Sequence, residues 1–408
     1  MKALRDLLDS VAPLFEKGGK FEKLYPAYEA QDTILFTPGE VTHGETHVRD
    51  GLDLKRMMIT VVVALQPCFL FAMYNTGLQA ALAIEVGASP LDTWQTELFY
   101  ALGFQFNSAD HIGNFLYGML YFVPIWVVTL AAGGLLEVLF AIVRGHEITE
   151  GFLVSSSLIP LTLPATIPLW QVAIGTGFGI VIGKEIFGGV GMNIFNPALM
   201  VRAFLFFAYP AQISGDKVWV AADYSTAADG YSGATWLARA AVEGNSALAN
   251  VSWFDAFVGL VPGSMGETSA LACLMGAVIL LVSGVGSWRT MGGVVAGTAL
   301  MGLLFNAVGS DTNPFFEVGF HWHMVLGGWA FGMVFMATDP VSSSFTDRGK
   351  LLYGLFIGIL VMLVRVVNPA YPEGMMLAIL FMNMFAPFID HFVVEANIKR
   401  RALRYAEE

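Results

Sequence analysis

The run Ser232-Gly233-Ala234-Thr235 ends in a hydroxyl that could accept a phosphoester bond. A modifying enzyme must reach such an acceptor, and the glycine and alanine leave the hydroxyl free of bulky neighbours. The pattern is typical of a covalent flavin attachment site, in which a threonine oxygen is esterified to the phosphate of FMN. A match of four common residues needs a confirming context, and the alternative is a flexible, unmodified loop.

The stretch 188–198, GGVGMNIFNPA, brings two asparagine side chains to the start of an apolar segment. Each unsatisfied polar group in hydrocarbon costs several kcal/mol, roughly 2–7 by transfer estimates. Asn193 and Asn196 therefore need partners, either another backbone or a ligand. The alternative is a helix start, with Asn196 as the cap and Pro197 at the first helical position.

The stretch 263–269, GSMGETS, precedes another apolar segment. Backbone amides around Gly266 and the hydroxyl of Thr268 could donate to a phosphate or a flavin. The alternative is a helix cap, because Ser264 lies three residues before Glu267, which is the spacing of a capping box. Both arrangements could hold at once, and the cap is the favoured interpretation.

Ionisable side chains at membrane depth cost about 2.5–3.5 kcal/mol on insertion scales, so the few in this chain are candidates for function. Carboxylates and freed backbone carbonyls are suitable ligands for a hard cation such as sodium. The alternative is a carboxylate solvated at a helix end, which is favoured for Glu185 and Asp390 taken singly. Arg202 is interpreted as a counter-charge for a carboxylate or a flavin phosphate. The four candidate carboxylates are Glu137, Glu185, Asp339 and Asp390.

Gly133 and Gly134 form a pair inside an apolar segment. Such a pair allows close approach of a neighbouring helix or of a flat ring such as a quinone, and helix packing is the default. Cys68 and Cys273 are the only cysteines, whereas an iron–sulfur cluster needs four ligands. This chain alone therefore holds no such cluster, and flavin is the natural carrier if the chain moves electrons.

The composition predicts an all-α polytopic membrane protein. Hydrophobic residues make up 56% of the chain and charged residues 13%, against roughly 45–50% and about 25% in soluble domains. Crossing the hydrocarbon core takes about 20 apolar residues. Prolines interrupt the third candidate segment and glycines dilute the fourth, so both are expected to be broken. The ten segments are 57–82, 112–143, 151–170, 172–186, 193–209, 268–285, 292–308, 324–338, 351–367 and 375–392.

Lysine and arginine fall on one side of these segments, and the positive-inside rule assigns that side to the cytoplasm. Arg144, Lys184 and Arg289 are examples. With five segments before it, Thr235 is predicted on the periplasmic side; an even number of segments would reverse this prediction. The formal charge of −12 gives no basic surface for nucleic acid.

Five apolar segments precede a long central loop and five follow it, which indicates two inverted five-helix halves. Both chain ends then lie on the cytoplasmic side. The predicted organisation is a cytoplasmic arm at 1–54, a first membrane half at 55–209, a periplasmic loop at 210–267, a second half at 268–393 and a cytoplasmic tail at 394–408.

The three stretches and the order of the segments resemble the family that contains the B subunit of bacterial sodium-translocating NADH:quinone oxidoreductases and the D subunit of RNF complexes. The RNF relative generally has proline after the threonine and lacks a long N-terminal arm; here Trp236 follows, and the arm is present. The resemblance implies a urea-transporter-like fold in the bacterial inner membrane. It also implies a covalent FMN on Thr235, in an environment formed by Ser232, Gly233, Ala234, Trp236, Gly266, Glu267, Thr268 and Arg202.

The resemblance further implies a subunit of a redox-driven sodium pump. Electrons from NADH, oxidised on another subunit, pass through FMN and a non-covalent riboflavin near Asn193, Asn196 and Pro197. They then reduce ubiquinone in a region that includes Gly133 and Gly134. The implied partners are flavin- and iron–sulfur-bearing subunits and a flavin transferase for maturation. The alternatives are an RNF-type electron-transfer subunit and a urea-transporter-like channel without a redox role.

Overall fold

The structure, a computed structural model, describes residues 2–26, 28–29, 32, 36, 54–145, 151–226, 233–368 and 373–406, and these residues are mainly helical. The α-helices are α1 (Lys2–Val11), α2 (Leu54–Glu85), α3 (Trp94–Ala101), α4 (His111–Arg144), α5 (Gly151–Leu161), α6 (Leu169–Val181), α7 (Pro197–Ala208), α8 (Pro210–Ile213), α9 (Trp236–Glu243), α10 (Asn245–Leu248), α11 (Trp253–Val258), α12 (Ala270–Val282), α13 (Trp288–Val308), α14 (Phe320–Val325), α15 (Trp329–Phe331), α16 (Asp347–Val367) and α17 (Met375–Ala406). The shorter elements are 3-10 turns at Ala12–Leu14, Glu22–Leu24, Glu185–Phe187, Tyr224–Thr226 and Pro314–Glu317, a π-helical turn at Gly332–Met336, and the strands β1 (Ser89–Pro90) and β2 (Ala222–Asp223).

Five of these helices, α2, α4, α13, α16 and α17, are long and apolar enough to cross a membrane. The shortest have 21 residues, which at 1.5 Å per residue is about 31 Å, and the hydrocarbon core is about 30 Å thick. Mean hydropathy over their most apolar windows is 1.7 to 2.2. The chain is therefore a multi-pass membrane protein, as its composition predicts.

The other five predicted segments contain helices that are too short to cross alone. Helices α5, α6, α7 and α12 have 11 to 13 residues, or about 16–20 Å each. Residues 320–336 are divided among α14, α15 and the π-helical turn. The breaks predicted for 151–170 and 172–186 are present, and the segments 193–209, 268–285 and 324–338 also contain only short helices. In those segments the hydropathy includes apolar residues whose backbone is not helical. The count of ten crossings therefore stays a prediction.

Glycines bring two pairs of long helices, α13 with α16 and α2 with α4, into backbone contact. A Cβ on Gly358 of α16 would lie 2.3 Å from the carbonyl oxygen of Val294 in α13. A Cβ on Gly118 of α4 would lie 1.7 Å from the carbonyl oxygen of Met73 in α2. Real Cβ atoms do not approach so closely, so these helix pairs depend on glycine, as close helix packing in membranes commonly does.

The connections between segments meet in two separate groups. In the first group, β1 pairs antiparallel with β2, and the indole of Trp253 donates to the carbonyl of His321 at 3.4 Å. In the second group, Arg144 pairs with Glu185 at 3.1 Å, and Arg289 pairs with Asp347 at 3.2 Å. The first group joins connections that follow odd-numbered segments, and the second joins connections that follow even-numbered ones. Segments that run in alternate directions produce this pairing; we call the groups the Thr235 face and the Arg144 face.

Candidate functional site

Thr235 is the N-cap of α9. Its Oγ1 accepts a hydrogen bond from the backbone amide of Ala238 at 3.2 Å, which is the usual role of a threonine before a helix. Ala234 is buried, and a Cβ on Gly233 would lie 2.5 Å from the carbonyl oxygen of Asp216. The small residues before Thr235 are therefore also required because the backbone there packs closely against the backbone at Asp216. Ser232 lies outside the described residues.

The Thr235 side chain borders a cavity of about 490 Å³. This volume falls within the roughly 300–1,000 Å³ typical of small-molecule sites. Trp219 and Trp236 supply aromatic surface. The charged lining residues are Arg202, Arg239, Asp216, Glu243 and Glu373. The guanidinium of Arg239 lies 4.8 Å from the centre of the Trp236 ring. The tryptophans can hold a planar aromatic ligand, and Arg239 is the arginine placed to bind an anionic group on it.

The second motif, 263–269, reaches the same place. A narrow cleft of about 20 Å³ is lined by Thr235 and Trp236 together with Ser264, Glu267 and Thr268. Two stretches predicted separately from the sequence thus meet on one site.

The 263–269 loop packs against the end of the short helix α5. The amide of Gly266 donates to the carbonyl of Leu161 at 2.8 Å, and a Cβ on Gly266 would lie 2.3 Å from the Leu161 side chain. Thr268 accepts from the side-chain amide of Asn75 at 3.3 Å. Gly266 therefore positions the loop against α5, and Thr268 ties it to α2.

Arg202 and Glu267 form an ion pair between α7 and this loop. Their side chains are 8% and 6% exposed, so neither charge is solvated. The interpretation of Arg202 as the counter-charge for a carboxylate is confirmed. The second carboxylate oxygen of Glu267, Oε2, is buried and has no hydrogen-bond partner among the described residues. It is an acceptor available to a donor from a ligand in the adjoining cleft.

The capping box predicted for Ser264 and Glu267 is wrong. Helix α12 begins at Ala270, and its cap is Ser269, whose hydroxyl accepts from the amide of Ala272 at 3.1 Å. The hydroxyl of Ser264 instead accepts from Arg202 at 3.5 Å. The capping spacing occurs here in a loop that continues for two residues after Glu267, so both side chains serve the buried ion pair.

On the Arg144 face, Asn196 caps α7 and Pro197 takes the first helical position, which is the helix start that the sequence offered as the alternative to a ligand site. The side-chain amide of Asn196 donates to Asp339 at 3.1 Å, and that of Asn193 donates to the carbonyl of Phe195 at 2.9 Å. Both asparagines line a cavity of about 60 Å³. Both asparagines therefore have the polar partners that the sequence predicts, and the cavity beside them is small.

The buried carboxylates near the Arg144 end of α4 are paired with cations. Lys184 forms an ion pair with Glu137 and lies 3.7 Å from Glu185. Arg144 binds Glu185 at 3.1 Å. The Glu185 side chain is 1% exposed, so its interpretation as a solvated carboxylate at a helix end is wrong. Arg144 is distant in sequence and reaches Glu185 only through the packing of α4 on α6.

Asp339 and Asp390 are bound by neutral donors. Asp339 accepts from the side chains of Asn196 and Ser342 and from the amide of Val341. Asp390 accepts from the backbone and side chains of residues 344–346 at 2.6–3.0 Å. Asp390 thus fastens the connection before α16 to α17. Among the described residues, no group of three or more His, Cys, Asp or Glu side chains could hold a metal ion.

The glycine pair at 133–134 faces α5. A Cβ on Gly133 would lie 2.3 Å from the Phe152 ring, whereas one on Gly134 would have its nearest contact at 3.6 Å. Helix packing, the default interpretation, is confirmed for Gly133. Only Gly134 leaves room for a further group.

Trp219 and Glu373 border the Thr235 cavity and were not predicted. The Glu373 carboxylate accepts a hydrogen bond from the backbone amide of Gly328 at 3.2 Å. The side chain of the fully buried Arg365 donates to the backbone carbonyl of Glu373 at 2.8 Å. Glu373 could have been noticed from the sequence, because it is an acidic residue just before the last apolar segment. The signal for Trp219 was the apolar run at 218–222 inside the polar loop, which indicates burial but not a place beside Thr235.

The sequence model of the NQR2, RnfD, RnfE family matches residues 41–399 of this chain. The chain is 58% identical over 404 residues to the B subunit of the Na(+)-translocating NADH-quinone reductase of Chromohalobacter salexigens, covering 99% of this chain and 97% of that protein. It is 56% identical over 407 residues to the protein of the same name from Pseudomonas aeruginosa, covering 98% and 99%. The corresponding protein of Klebsiella pneumoniae is 54% identical over 415 residues, again covering 98% and 99%.

Proposed function

The chain belongs to the NQR2, RnfD, RnfE family, and we propose that it is the B subunit of a sodium-translocating NADH–quinone reductase, a redox-driven sodium pump of the bacterial inner membrane. The observation that carries this proposal is identity of 54–58% to proteins of that name along nearly the whole of both chains. The family also includes RnfD, so an RNF-type subunit is the second candidate. Identity above one half along the full length favours the quinone reductase.

We propose Thr235 as the attachment point of a covalent FMN. In that linkage the Thr235 hydroxyl loses its proton, and its oxygen forms the ester bond to phosphorus as the leaving group of the flavin donor departs. The support is the adjoining cavity, with Trp219 and Trp236 for a planar ring and Arg239 for a phosphate. Glu267 Oε2 is buried and has no hydrogen-bond partner among the described residues, so it could accept a hydrogen bond from the flavin. When bound, the flavin supplies electron transfer; the chain holds it in place, orients it and excludes water.

The riboflavin proposed near Asn193, Asn196 and Pro197 fits less well. The cavity there is about 60 Å³, well below the roughly 300 Å³ of small ligand sites. Both asparagine amides already donate to protein acceptors. We therefore keep riboflavin as a cofactor of the proposed subunit and assign no electron-transfer step to these residues.

Among the carboxylates proposed for sodium, Asp339 and Asp390 are the more suitable, because their hydrogen-bond donors are neutral. Glu137 and Glu185 are paired with Lys184 and Arg144, so a sodium ion would have to displace a cation there. Moving one charge against 100 mV costs about 2.3 kcal/mol, and quinone reduction would supply this energy. For ubiquinone, the face of Gly134 remains a candidate, whereas Gly133 is covered by Phe152.

The sodium-pump proposal is tested on the purified complex in proteoliposomes. NADH with a ubiquinone analogue should drive accumulation of radioactive sodium, and a complex assembled without this chain should not. Sodium transport that requires a donor other than NADH would favour the RNF-type alternative.

The FMN proposal is tested separately, by in-gel fluorescence of the denatured chain coexpressed with a flavin transferase. Wild type should fluoresce and gain the mass of one esterified FMN, and Thr235→Ala should do neither. Thr226→Ala, in the same loop, is the matched control and should remain fluorescent. A dark wild-type band, or a bright Thr235→Ala band, would refute the attachment.

A further inference from the structure

A groove of about 620 Å³ runs between α16 and α17 on the outside of the molecule. Four phenylalanines of α17 line it, and each is more than a third exposed. They are Phe381, Phe385, Phe388 and Phe392. Within the described parts of the chain, no acidic side chain lines the groove, so it is apolar along its length and basic where it is charged.

The basic end is formed by Arg348 and Arg400. Arg348 is the second residue of α16, and Arg400 lies near the end of α17, so both belong to the Arg144 face. The neighbouring acids are engaged elsewhere, since Asp347 pairs with Arg289 at 3.2 Å and Glu395 pairs with Lys399 at 2.8 Å. Neither groove arginine has a salt bridge to any residue that the structure describes.

The dimensions match one leaflet of a bilayer. Phe381 and Phe392 are eleven residues apart on one helix, which is about 16 Å at 1.5 Å per residue. Half of a hydrocarbon core of about 30 Å is about 15 Å. Two turns beyond Phe392, Arg400 lies where a lipid headgroup would be, and basic pockets between membrane helices bind anionic lipid headgroups.

We propose that this groove is a binding site for an anionic phospholipid, with its phosphate held by Arg348 and Arg400 and an acyl chain along the phenylalanines of α17. The charge selects an anionic over a zwitterionic lipid, and the aromatic wall makes the site a bound position rather than a transient contact. The site is independent of the flavin cavity, so it stands whether or not Thr235 carries FMN.

The test is native mass spectrometry of the whole complex after delipidation in detergent, titrated with phosphatidylglycerol or with phosphatidylcholine of the same acyl chains. The wild-type complex should bind phosphatidylglycerol more tightly than phosphatidylcholine. Each arginine should contribute about fivefold, or about 1 kcal/mol, near a lipid surface. The pair Arg348→Gln with Arg400→Gln should therefore weaken phosphatidylglycerol about 25-fold and leave phosphatidylcholine unchanged. The control pair, Arg401→Gln with Arg404→Gln, removes the same charge from α17 outside the groove and should change affinity less than about twofold.

A second variant fills the groove without removing charge. Ala396→Phe, at a lining position, should also release phosphatidylglycerol, whereas Ala402→Phe on the same helix should not. Equal binding of the two lipids by wild type would overturn the proposal, as would an equal effect of the control arginine pair. If Ala396→Phe released ubiquinone or a neighbouring protein of the complex instead of phosphatidylglycerol, the groove would belong to that occupant and the proposal would be wrong.

Discussion

Replacing Arg202 by methionine tests whether the buried ion pair with Glu267 holds the Thr235 site together. Both side chains are less than a tenth exposed, so water cannot solvate the carboxylate that remains. Removing one partner of such a pair typically costs about 3–5 kcal/mol, which is more than about a hundredfold in the unfolding equilibrium. Replacing both partners by apolar residues is often neutral. Arg202→Met should therefore be far less stable than Arg202→Met combined with Glu267→Met.

The assay is unfolding in mixed micelles of increasing dodecyl sulfate content, followed by circular dichroism. Protein made without a flavin transferase is used, so that loss of FMN does not contribute. Arg239→Met is the matched control, because it removes another arginine of the cavity whose guanidinium lies over Trp236, a contact worth about 0.5–1 kcal/mol when exposed. An Arg202→Met protein within about 1 kcal/mol of wild type would refute the reasoning, and so would a double variant as unstable as the sum of the single ones.

Three further predictions concern contacts fixed by the packing. Gly233→Ala should lower flavin incorporation at an intact Thr235, because its Cβ would lie 2.5 Å from a backbone carbonyl; in-gel fluorescence per mole of chain measures this, and unchanged fluorescence contradicts it. Gly358→Val should destabilise the membrane region by at least about 1–3 kcal/mol in the dodecyl sulfate assay, whereas Gly292→Ala, with no atom within 4 Å, should be neutral or slightly stabilising. The thiols of Cys68 and Cys273 lie 3.9 Å apart, so diamide should join them with loss of two hydrogens in intact mass, and Cys68→Ser should abolish the change.

The candidate site was predictable where its signal is local. The small residues before Thr235 and the hydroxyl itself are adjacent in sequence, and an arginine inside an apolar segment indicates that a counter-charge exists. The identity of that counter-charge was not predictable, because Glu267 is 65 residues away and meets Arg202 only through the packing of the 263–269 loop on α7. The same holds for Trp219, which reaches the cavity from a short apolar run at 218–222 in the central loop.

The helix lengths show a second limit. Hydropathy measures whether a residue prefers hydrocarbon, and it does not report whether the backbone there is helical. The stretch 193–209 is apolar enough to be read as one crossing, but the cap at Asn196 and the end of α7 at Ala208 leave 12 helical residues. Asparagine before proline is a local signal for the start of that helix. In the segment at 324–338 the corresponding signal is the pair Gly327-Gly328, which lies between the end of α14 at Val325 and the start of α15 at Trp329; Gly327 has a φ of +66°, a conformation that favours glycine.

Helix α7 connects the two regions to which function is assigned. At its start, Asn196 donates to Asp339 on the Arg144 face; six residues later, about 9 Å along the axis, Arg202 pairs with Glu267 beside the Thr235 cavity. A helix of 12 residues whose start and middle are both fastened by buried polar contacts moves as a unit, because shifting one contact strains the other. A change of charge at the cavity therefore acts on the same helix that holds Asp339. If Thr235 carries the proposed flavin and Asp339 binds the proposed sodium ion, α7 is the element of this chain that contacts both regions and through which a physical coupling between them would act.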